Sequence, residues 1–253
     1  MKNINEIKEK LRSLRLHQMS LELEQILNES TKKNASHLTF LERLVDMETD
    51  NRHQRSIEYR IKKAKLPELV TIDQFDFNYH KTRTQNKQRI LNLLDRSFLE
   101  SKTDIIFMGQ PGVGKSFLAE CVGLDCCKSN CNVLYVKTMD MINQLIASEA
   151  DRTLHKKLDY YRKAQLLVLD ELGYLSLNQQ GSDLLFQVIS GRHSVNSTII
   201  TTNRTFKDWG EIFYNTTVAS AVADRLAANS EVILLERSYR PELNRIKKNK
   251  KTK

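Results

Sequence analysis

The sequence contains little glycine and proline, with eight and three residues of these types among 253. It has no apolar run near the roughly 20 residues that a bilayer-crossing helix needs. The first stretch, MKNINEIKEKLRSLRL, lacks the apolar segment of a secretion signal. We therefore expect a soluble cytoplasmic protein. About 40% of the residues are hydrophobic, enough for the core of one large domain or two smaller ones.

The cysteines are few and are confined to one short segment, residues 121–131. They lack the paired spacing of zinc ligands, and no histidine lies near them. We interpret them as reduced, half-buried residues of a helix rather than as a metal site. They are Cys121, Cys126, Cys127 and Cys131.

Acidic residues are fewer than basic residues, which gives a formal net charge of +9. The excess of basic residues is distributed unevenly along the chain. From Arg237 to the end, eight basic residues face one acidic residue, and six face one between Arg52 and Lys65. This pattern predicts a polyanion partner, most simply nucleic acid, because phosphates attract Lys and Arg without regard to sequence. The alternative is a solvated face and a disordered tail. The residues of the internal patch are Arg52, Arg55, Arg60, Lys62, Lys63 and Lys65.

Up to Pro67, the apolar residues recur at helical spacing, so residues 1–66 are predicted to form a small all-α domain. Thr39 and Glu42 have the spacing of a capping box, which predicts that a third helix begins there. In that helix we expect Leu41, Leu44 and Val45 to point inward.

After Pro67, short apolar runs alternate with helical patterns. Such runs predict a parallel sheet that is buried on both faces, here an α/β fold of about five strands. We assign this fold to residues 67–240 and a basic tail to 241–253. The runs are IIFM (105–108), NVLYVK (132–137), LLVLD (166–170), STIITT (197–202) and EVILLE (231–236).

The scarce glycine and proline are concentrated in GQPGVGKS (109–116), which fits the pattern G-x-x-x-x-G-K-[ST] between a strand and a helix. Glycine allows backbone N–H groups to turn toward phosphate oxygens, and the helix N-terminus adds positive charge. Lys115 would contact the β- and γ-phosphates of ATP, and Ser116 would contact Mg²⁺. The alternative is an ordinary glycine-rich turn. The predicted nucleotide-binding residues are Gly109, Gln110, Pro111, Gly112, Val113, Gly114, Lys115, Ser116 and Phe117.

Polar residues follow two further strands. LLVLDE ends in Asp170, which would hold Mg²⁺ through water, and Glu171, which would orient or deprotonate the attacking water. Asn203 follows STIITT and could position the same water or contact the γ-phosphate. The alternative is that these strand ends are polar without a catalytic role.

Three longer blocks resemble the IstB-like ATPases, AAA+ helper proteins of a bacterial transposon family that are related to the DnaC helicase loaders. The blocks are LLVLDELGYLSLNQQGSDLLFQVISGRH (166–193), STIITTNRTFKDWGEIF (197–213) and VASAVADRLAANSEVILLERSYR (218–240). The resemblance covers most of the chain. It implies that Lys115 and Ser116 match Walker A, Asp170 and Glu171 match Walker B, and Asn203 matches sensor 1.

The resemblance also implies roles for two arginines. Arg225, in ADRL, matches the arginine that AAA+ proteins donate to the ATP of a neighbouring subunit, and Arg240 resembles a second sensor. The chain leaves no room for the usual C-terminal helical lid domain after Arg240, so we expect nucleotide gating to differ from the general AAA+ scheme.

The implied function is that of an ATPase that binds double-stranded DNA with little sequence preference, forms rings or filaments, and remodels target DNA while recruiting or stimulating a transposase. A DnaC-like loader of a replicative helicase and an ATP-controlled scaffold are the alternatives. Candidate DNA contacts are the internal basic patch together with Lys156 and Lys157. Tyr160 and Tyr161 could stack on bases or pack internally.

Overall fold

The structure is a computed structural model that describes residues 3–239. Arg240 and the basic tail over 241–253 lie outside the described residues. The chain divides into two compact units, with the boundary between Tyr59 and Arg60. We keep Pro67, where the helical pattern ends, as a proposal for the domain boundary.

The first unit is helical, with α1 (Ile4–Ser13), α2 (His17–Lys32) and most of α3 (His37–Ala64), which continues across the boundary. Its small core contains Met19, Leu23 and Ile26 from α2 and Leu44 from α3. Glu48 of α3 accepts hydrogen bonds from the N–H groups of Gln18 and Met19, at 2.8 and 3.1 Å. These N–H groups lie in the first turn of α2, so Glu48 caps that helix from a distance.

The capping box predicted at Thr39 and Glu42 is wrong. The helix begins at His37, and the hydroxyl of Ser36 accepts a hydrogen bond from the N–H of Thr39 at 3.1 Å. Of the residues expected to point inward, Leu44 is buried, whereas Leu41 and Val45 are about half exposed, at 51% and 46%. Besides Leu44, the α3 residues that pack against this core are Phe40 and Met47, so α3 presents a neighbouring face that its periodicity does not single out.

The second unit contains a five-stranded parallel sheet in the order β2-β3-β4-β1-β5, which confirms the predicted α/β fold. The strands are β1 (Asp104–Gly109), β2 (Val133–Lys137), β3 (Leu166–Leu172), β4 (Ser197–Thr202) and β5 (Ser230–Leu235). The helices are α4 (Lys81–Asn92), α5 (Ser97–Glu100), α6 (Lys115–Lys128), α7 (Thr138–Ala150), α8 (Leu154–Arg162), α9 (Gln179–Arg192) and α10 (Thr216–Ala228).

Helices cover both faces of this sheet, which is why its strands read as continuous apolar runs. Ile106 and Leu169 contribute to a core with α7, α8, α9 and α10. Phe107 and Val168, the neighbouring residues in the same strands, contribute to a second core with α4, α5 and α6. The cysteines are buried without disulfides, Cys121, Cys126 and Cys127 within α6 and Cys131 just after it.

The strand order brings three loops to one edge. β4 lies between β1 and β3, and all strands are parallel, so the segments that follow these strands leave the sheet at the same edge. Ligands of such sheets bind outside the carboxyl ends of the strands. Within residues 3–239, no helix follows β5, and none has the length and apolar character needed to span a bilayer.

Candidate nucleotide-binding site

The glycine-rich loop connects β1 to α6, and its backbone requires glycine at two places. Gly109 has a φ of +149°, and a Cβ there would lie 1.9 Å from the carbonyl oxygen of Leu235. Gly114 has a φ of +104°, and its Cβ would lie 2.7 Å from the ring of Phe75. A side chain at either position would therefore distort the loop. The local composition noted in the sequence thus has a steric cause.

Lys115, the first residue of α6, is buried and folds back over the loop. Its Nζ donates hydrogen bonds to the carbonyl oxygens of Gly109 and Gln110, at 2.8 and 3.0 Å. An ammonium group held above a helix N-terminus can bind phosphate oxygens together with the backbone N–H groups. Lys115 thus lies at the N-terminus of α6, beside the glycine-rich loop.

Ser116 and Asp170 meet, as a shared Mg²⁺ site requires. The Ser116 hydroxyl donates to Oδ1 of Asp170 at 2.8 Å, and Asp170 is only 3% exposed. A hydroxyl and a carboxylate in contact offer the oxygen ligands that Mg²⁺ prefers, and Mg²⁺ commonly keeps water in its remaining positions. The two side chains therefore fit this metal ion.

Two residues that were not identified from the sequence orient Asp170. The Thr201 hydroxyl donates to Oδ1 and the Tyr135 hydroxyl to Oδ2 of its carboxylate, each at 2.5 Å. Burial, together with the Asp170 carboxylate, raises the pKa of Tyr135 far above its ordinary value, so this hydroxyl stays a donor. Tyr135 reaches Asp170 from a neighbouring strand, 35 residues earlier, a contact without any local sequence signal.

Glu120 of α6 is another buried carboxyl group near this site. Burial, followed by repulsion from Glu68 and Asp170, raises its pKa to about 7. Near neutral pH, Glu120 is therefore partly protonated and adds less than a full negative charge beside Asp170.

Glu171 has an unusual backbone. Its φ is +62°, and it lies within the shift of register between Leu169 and Leu172 of β3. Non-glycine residues in this region are strained and cluster at functional sites. The Glu171 carboxylate is partly exposed and pairs with the Lys137 ammonium at 2.9 Å. The hydrogen bond to Glu171 raises the pKa of Lys137. The irregular strand end thus turns Glu171 out of the sheet, beside Asp170.

Asn203 follows β4, between the carboxyl ends of β1 and β3. Its Oδ1 atom is buried and has no hydrogen-bond partner among the described residues. A buried amide oxygen without a partner is uncommon in a folded chain, which favours a role in binding a ligand or water.

Arg225 lies on α10, and its contacts are with other groups than those of the glycine-rich loop. Its guanidinium donates to the carbonyl oxygen of Ala221 at 2.9 Å and lies 4.7 Å from the centre of the Phe186 ring on α9. The first contact lies within α10, and the second is with α9. The structure therefore does not itself bring Arg225 to the glycine-rich loop.

Arg83 of α4 supports the loop from behind and was not identified from the sequence. It is 2% exposed and donates to the carbonyl oxygens of Val113 and Asp76, at 2.8 and 2.9 Å. Burial lowers its pKa, and three aromatic rings surround its guanidinium. The ring centres of Phe75, Tyr239 and Tyr79 lie 4.3, 5.0 and 5.1 Å away.

The last described residues complete this support. The N–H of Tyr239 donates to the carbonyl oxygen of Gly112 at 2.8 Å, and the Tyr79 hydroxyl donates to that of Ser238 at 2.8 Å. Two adjacent loop carbonyls are therefore fixed by Arg83 and Tyr239. Fixing these carbonyls limits the conformations of a loop whose N–H groups would bind phosphate.

We expect Arg83→Met to weaken ATP binding about tenfold, because a buried charged hydrogen bond to the loop contributes about 1.5–3 kcal/mol. Isothermal titration with ATP would measure this change. Lys87→Met, on an exposed position of the same helix, is the matched control and should leave the affinity unchanged. Equal affinities of the Arg83 and Lys87 variants would show that Arg83 does not stabilise the binding conformation of the loop.

The structure separates the candidate DNA contacts. Arg52 pairs with Glu48 at 2.9 Å within the first unit. Arg60 donates to the carbonyl oxygen of Cys127 at 2.8 Å and to Asn130 at 2.7 Å, so it anchors the end of α3. The remaining candidates lie on α3, just after it, or on α8, and all except the half-buried Lys157 are exposed. They are Arg55, Lys62, Lys63, Lys65, Lys156 and Lys157.

Comparison with known proteins agrees with the resemblance in the sequence. Residues 9–249 match the profile of the family described as IstB-like ATP binding protein. A relative from Bacillus thuringiensis subsp. berliner, named for ATP binding in insertion sequence IS232, is 34% identical over 91% of this chain and 92% of its own. Relatives from Geobacillus stearothermophilus (IS5376) and Pseudomonas aeruginosa (IS21) are 37% and 32% identical over 86% and 94% of this chain, and 86% and 89% of their own.

Solved structures of replication proteins share the fold. The DnaC helicase loader matches with a TM-score of 0.57 at 23% identity, over 65% of this chain and 96% of its own. AMPPCP-bound DnaA from Aquifex aeolicus matches with a TM-score of 0.58 at 17% identity, over 74% of this chain and 56% of its own. At these identities the likeness establishes the AAA+ fold and nothing finer.

Proposed function

The chain belongs to the family of IstB-like ATP binding proteins, and on this premise we propose that it is an ATPase that binds DNA and assists transposition. In this proposal it remodels target DNA and recruits or stimulates a transposase. The observation that carries the ATPase assignment is the contact between Ser116 and Asp170 beside the outward-turned Glu171. The names of the relatives, which refer to insertion sequences, favour transposition over helicase loading.

Each group at the site has a proposed task. The loop N–H groups and Lys115 bind the phosphates, and Ser116 and Asp170 hold Mg²⁺, which neutralises charge on the β- and γ-phosphate oxygens when bound. Tyr135 and Thr201 keep the Asp170 carboxylate oriented. Asn203 orients the attacking water with its unpartnered amide oxygen. Binding and orientation supply much of the catalysis in phosphoryl transfer.

Glu171 accepts the proton of the attacking water in this proposal. Its pairing with Lys137, at 2.9 Å, competes with that task because the ammonium occupies a carboxylate oxygen. The pair is partly exposed, so breaking it costs about 0–1 kcal/mol. Glu171 can therefore change partners at little cost.

We further propose head-to-tail assembly into a ring or filament, in which Arg225 contacts ATP bound by the neighbouring subunit. Among the described residues its contacts are one carbonyl and the face of one ring, which leaves several of its N–H donors for such a partner. An arginine supplied in this way stabilises the charge of the transition state. Heterologous contacts of this kind generate rings or helical filaments.

The test measures binding of a fluorescent 30-bp duplex by anisotropy with ATP, with ADP and without nucleotide, and strand transfer by the transposase of the same element. We expect ATP to strengthen DNA binding at least about tenfold, a coupling of about 1.4 kcal/mol, and the protein to stimulate strand transfer. Lys115→Ala, which removes the phosphate-binding ammonium, should lose both effects. If DNA affinity is the same with ATP, with ADP and without nucleotide, and strand transfer is not stimulated, the proposed function is contradicted.

A further inference from the structure

A groove runs along the outer edge of β2, the first strand in the sheet order. It consists of two adjoining cavities of about 370 and 270 Å³ that share Leu134 and Tyr160 in their lining. β2 forms the floor, with Val133 and Leu134 in the first cavity and Leu134 to Lys137 in the second. Its walls come from the end of α3 and from α8, segments about 90 residues apart in the sequence.

The walls carry an excess of positive charge. Lys63, Lys156 and Lys163 line the first cavity, and Lys65 lines the second. Each cavity also has one acidic residue. Asp159 in the first is paired with Lys163 at 2.7 Å, and Asp140 lies in the second. A polyanion matches such a lining, since each phosphate gains attraction from more than one ammonium group.

Lys157 of α8 adds a further ammonium group, which lies 5.3 Å from the centre of the Tyr160 ring. Burial, followed by the charge of Lys65, lowers the pKa of Lys157. Like charges in proximity destabilise the folded chain unless an anion binds between them. The arrangement therefore favours occupation by an anionic partner.

The end of α3 is fixed rather than loose, so its lysines have a defined place. Ala64 is fully buried in the core that lies beneath α6, and Arg60 holds the carbonyl oxygen of Cys127 at 2.8 Å. Lys65 ends the helix with a φ of +59°. A binding surface built on anchored helix ends needs less ordering when its ligand arrives.

An exposed aromatic ring lies between the two cavities. Tyr160 is 38% exposed, whereas Tyr161 is buried and donates to Gln144 at 3.0 Å. Of the two tyrosines considered from the sequence, Tyr161 therefore packs internally and Tyr160 can receive a base. Aromatic side chains that stack with bases beside a row of cations are characteristic of single-stranded nucleic acid sites. Duplex bases are stacked on one another and do not offer a free face to Tyr160.

We propose that this groove, which we call the β2-edge groove, binds a single strand of DNA, with its phosphates at Lys63, Lys65, Lys156 and Lys163 and a base on Tyr160. The inference deepens the proposed function and rests on it, because it adds to duplex binding a site for one strand of the DNA. It unites two basic segments that the sequence shows only as separate patches. Each cavity, with a volume of about 370 or 270 Å³, is large enough for one nucleotide.

The test uses a 5′-fluorescein 25-nucleotide strand and the same sequence as a duplex, with anisotropy measured from 50 to 200 mM NaCl in the presence of ATP. The groove variant is Lys63→Gln/Lys156→Gln/Lys163→Gln. The matched control, Lys81→Gln/Lys128→Gln/Lys207→Gln, removes the same charge from exposed positions outside the groove. ATP affinity of each variant reports whether its fold is intact.

We expect the groove variant to bind the single strand about tenfold or more weakly than the control, with the salt slope reduced by about 2, since each phosphate contact on a single strand contributes about 0.7. Tyr160→Ala should weaken single-strand binding about fivefold or more and duplex binding less, because a stacked base is lost. Tyr160→Phe keeps the aromatic ring and should bind the single strand as tightly as the wild-type chain.

The outcomes separate this inference from the proposed function. If the wild-type chain binds neither form of DNA, both are overturned. If it binds DNA but the groove and control variants bind alike, the β2-edge groove is not the site, while the proposed function stands. Equal losses of duplex and single-strand binding in Tyr160→Ala would overturn the choice of a single strand.

Discussion

Glu171→Gln should bind ATP as tightly as the natural chain and hydrolyse it at least about a hundredfold more slowly, since a positioned general base contributes about 10²–10⁴ in rate. The substitution keeps the shape of the side chain but removes its ability to take a proton. ATP affinity should survive because Lys115, Ser116 and Asp170, which would bind the phosphates and the metal ion, are unchanged. Single-turnover hydrolysis and equilibrium titration with ATP would measure the two quantities separately.

The control for this substitution is Glu211→Gln. Glu211 is an exposed carboxylate paired with Arg204 at 3.3 Å, so its loss also breaks a surface ion pair while leaving the site intact. It should change turnover less than twofold. If Glu171→Gln behaves like this control, Glu171 is not the base, and the strained φ of +62° would need another explanation.

The sheet could be predicted from the sequence because strands that are buried on both faces are continuous apolar runs. Each apolar run lies in a strand, and the polar residues at the carboxyl ends of β3 and β4, Asp170, Glu171 and Asn203, lie at one edge because parallel strands end together. The glycine-rich loop was equally readable, since its steric needs exclude side chains at Gly109 and Gly114. Local chemistry with a fixed spacing is what a single sequence reveals.

Contacts between distant segments were not readable. Arg83 reaches Val113 across 30 residues, and Tyr135 reaches Asp170 across 35, without any pattern that marks either residue as functional. The same limit explains the error at Thr39: its spacing to Glu42 fits a capping box, but Ser36 supplies an earlier cap. Two caps that compete within one turn differ by only about 1 kcal/mol, which sequence pattern does not resolve.

The supports of the glycine-rich loop suggest how distant parts of the chain influence ATP binding. Arg83 donates to the carbonyl oxygen of Val113, and the backbone N–H of Tyr239 donates to that of Gly112. The Tyr79 hydroxyl donates to the carbonyl oxygen of Ser238, the residue before Tyr239. Phe75, Tyr79 and Tyr239 therefore enclose the Arg83 guanidinium beside the loop. Movement of the segment near Tyr239 would release one of the two fixed loop carbonyls.

Arg225→Ala should retain ATP binding and lose hydrolysis by about 10³-fold or more, the effect of an arginine supplied in trans to the γ-phosphate. Binding should survive because the Arg225 guanidinium contacts Ala221 and Phe186, on α9 and α10, rather than the loop of its own chain. Arg225→Lys should not restore full turnover, because an ammonium lacks the planar pair of donors that a guanidinium presents. Steady-state turnover at protein concentrations that favour assembly is the measurement.

Mixing two inactive variants distinguishes action in trans from action within one chain. Arg225→Ala retains an intact loop, and Lys115→Ala retains an intact arginine, so a mixed assembly contains interfaces in which each variant supplies what the other lacks. We expect turnover to reappear on mixing and to vanish on dilution, as assemblies dissociate. Arg204→Ala, which removes an exposed arginine paired with Glu211, is the matched control and should keep its turnover. If mixing restores nothing while each variant still assembles, Arg225 does not act on the neighbouring subunit, because a trans arginine cannot be silent at an interface that contains an intact loop.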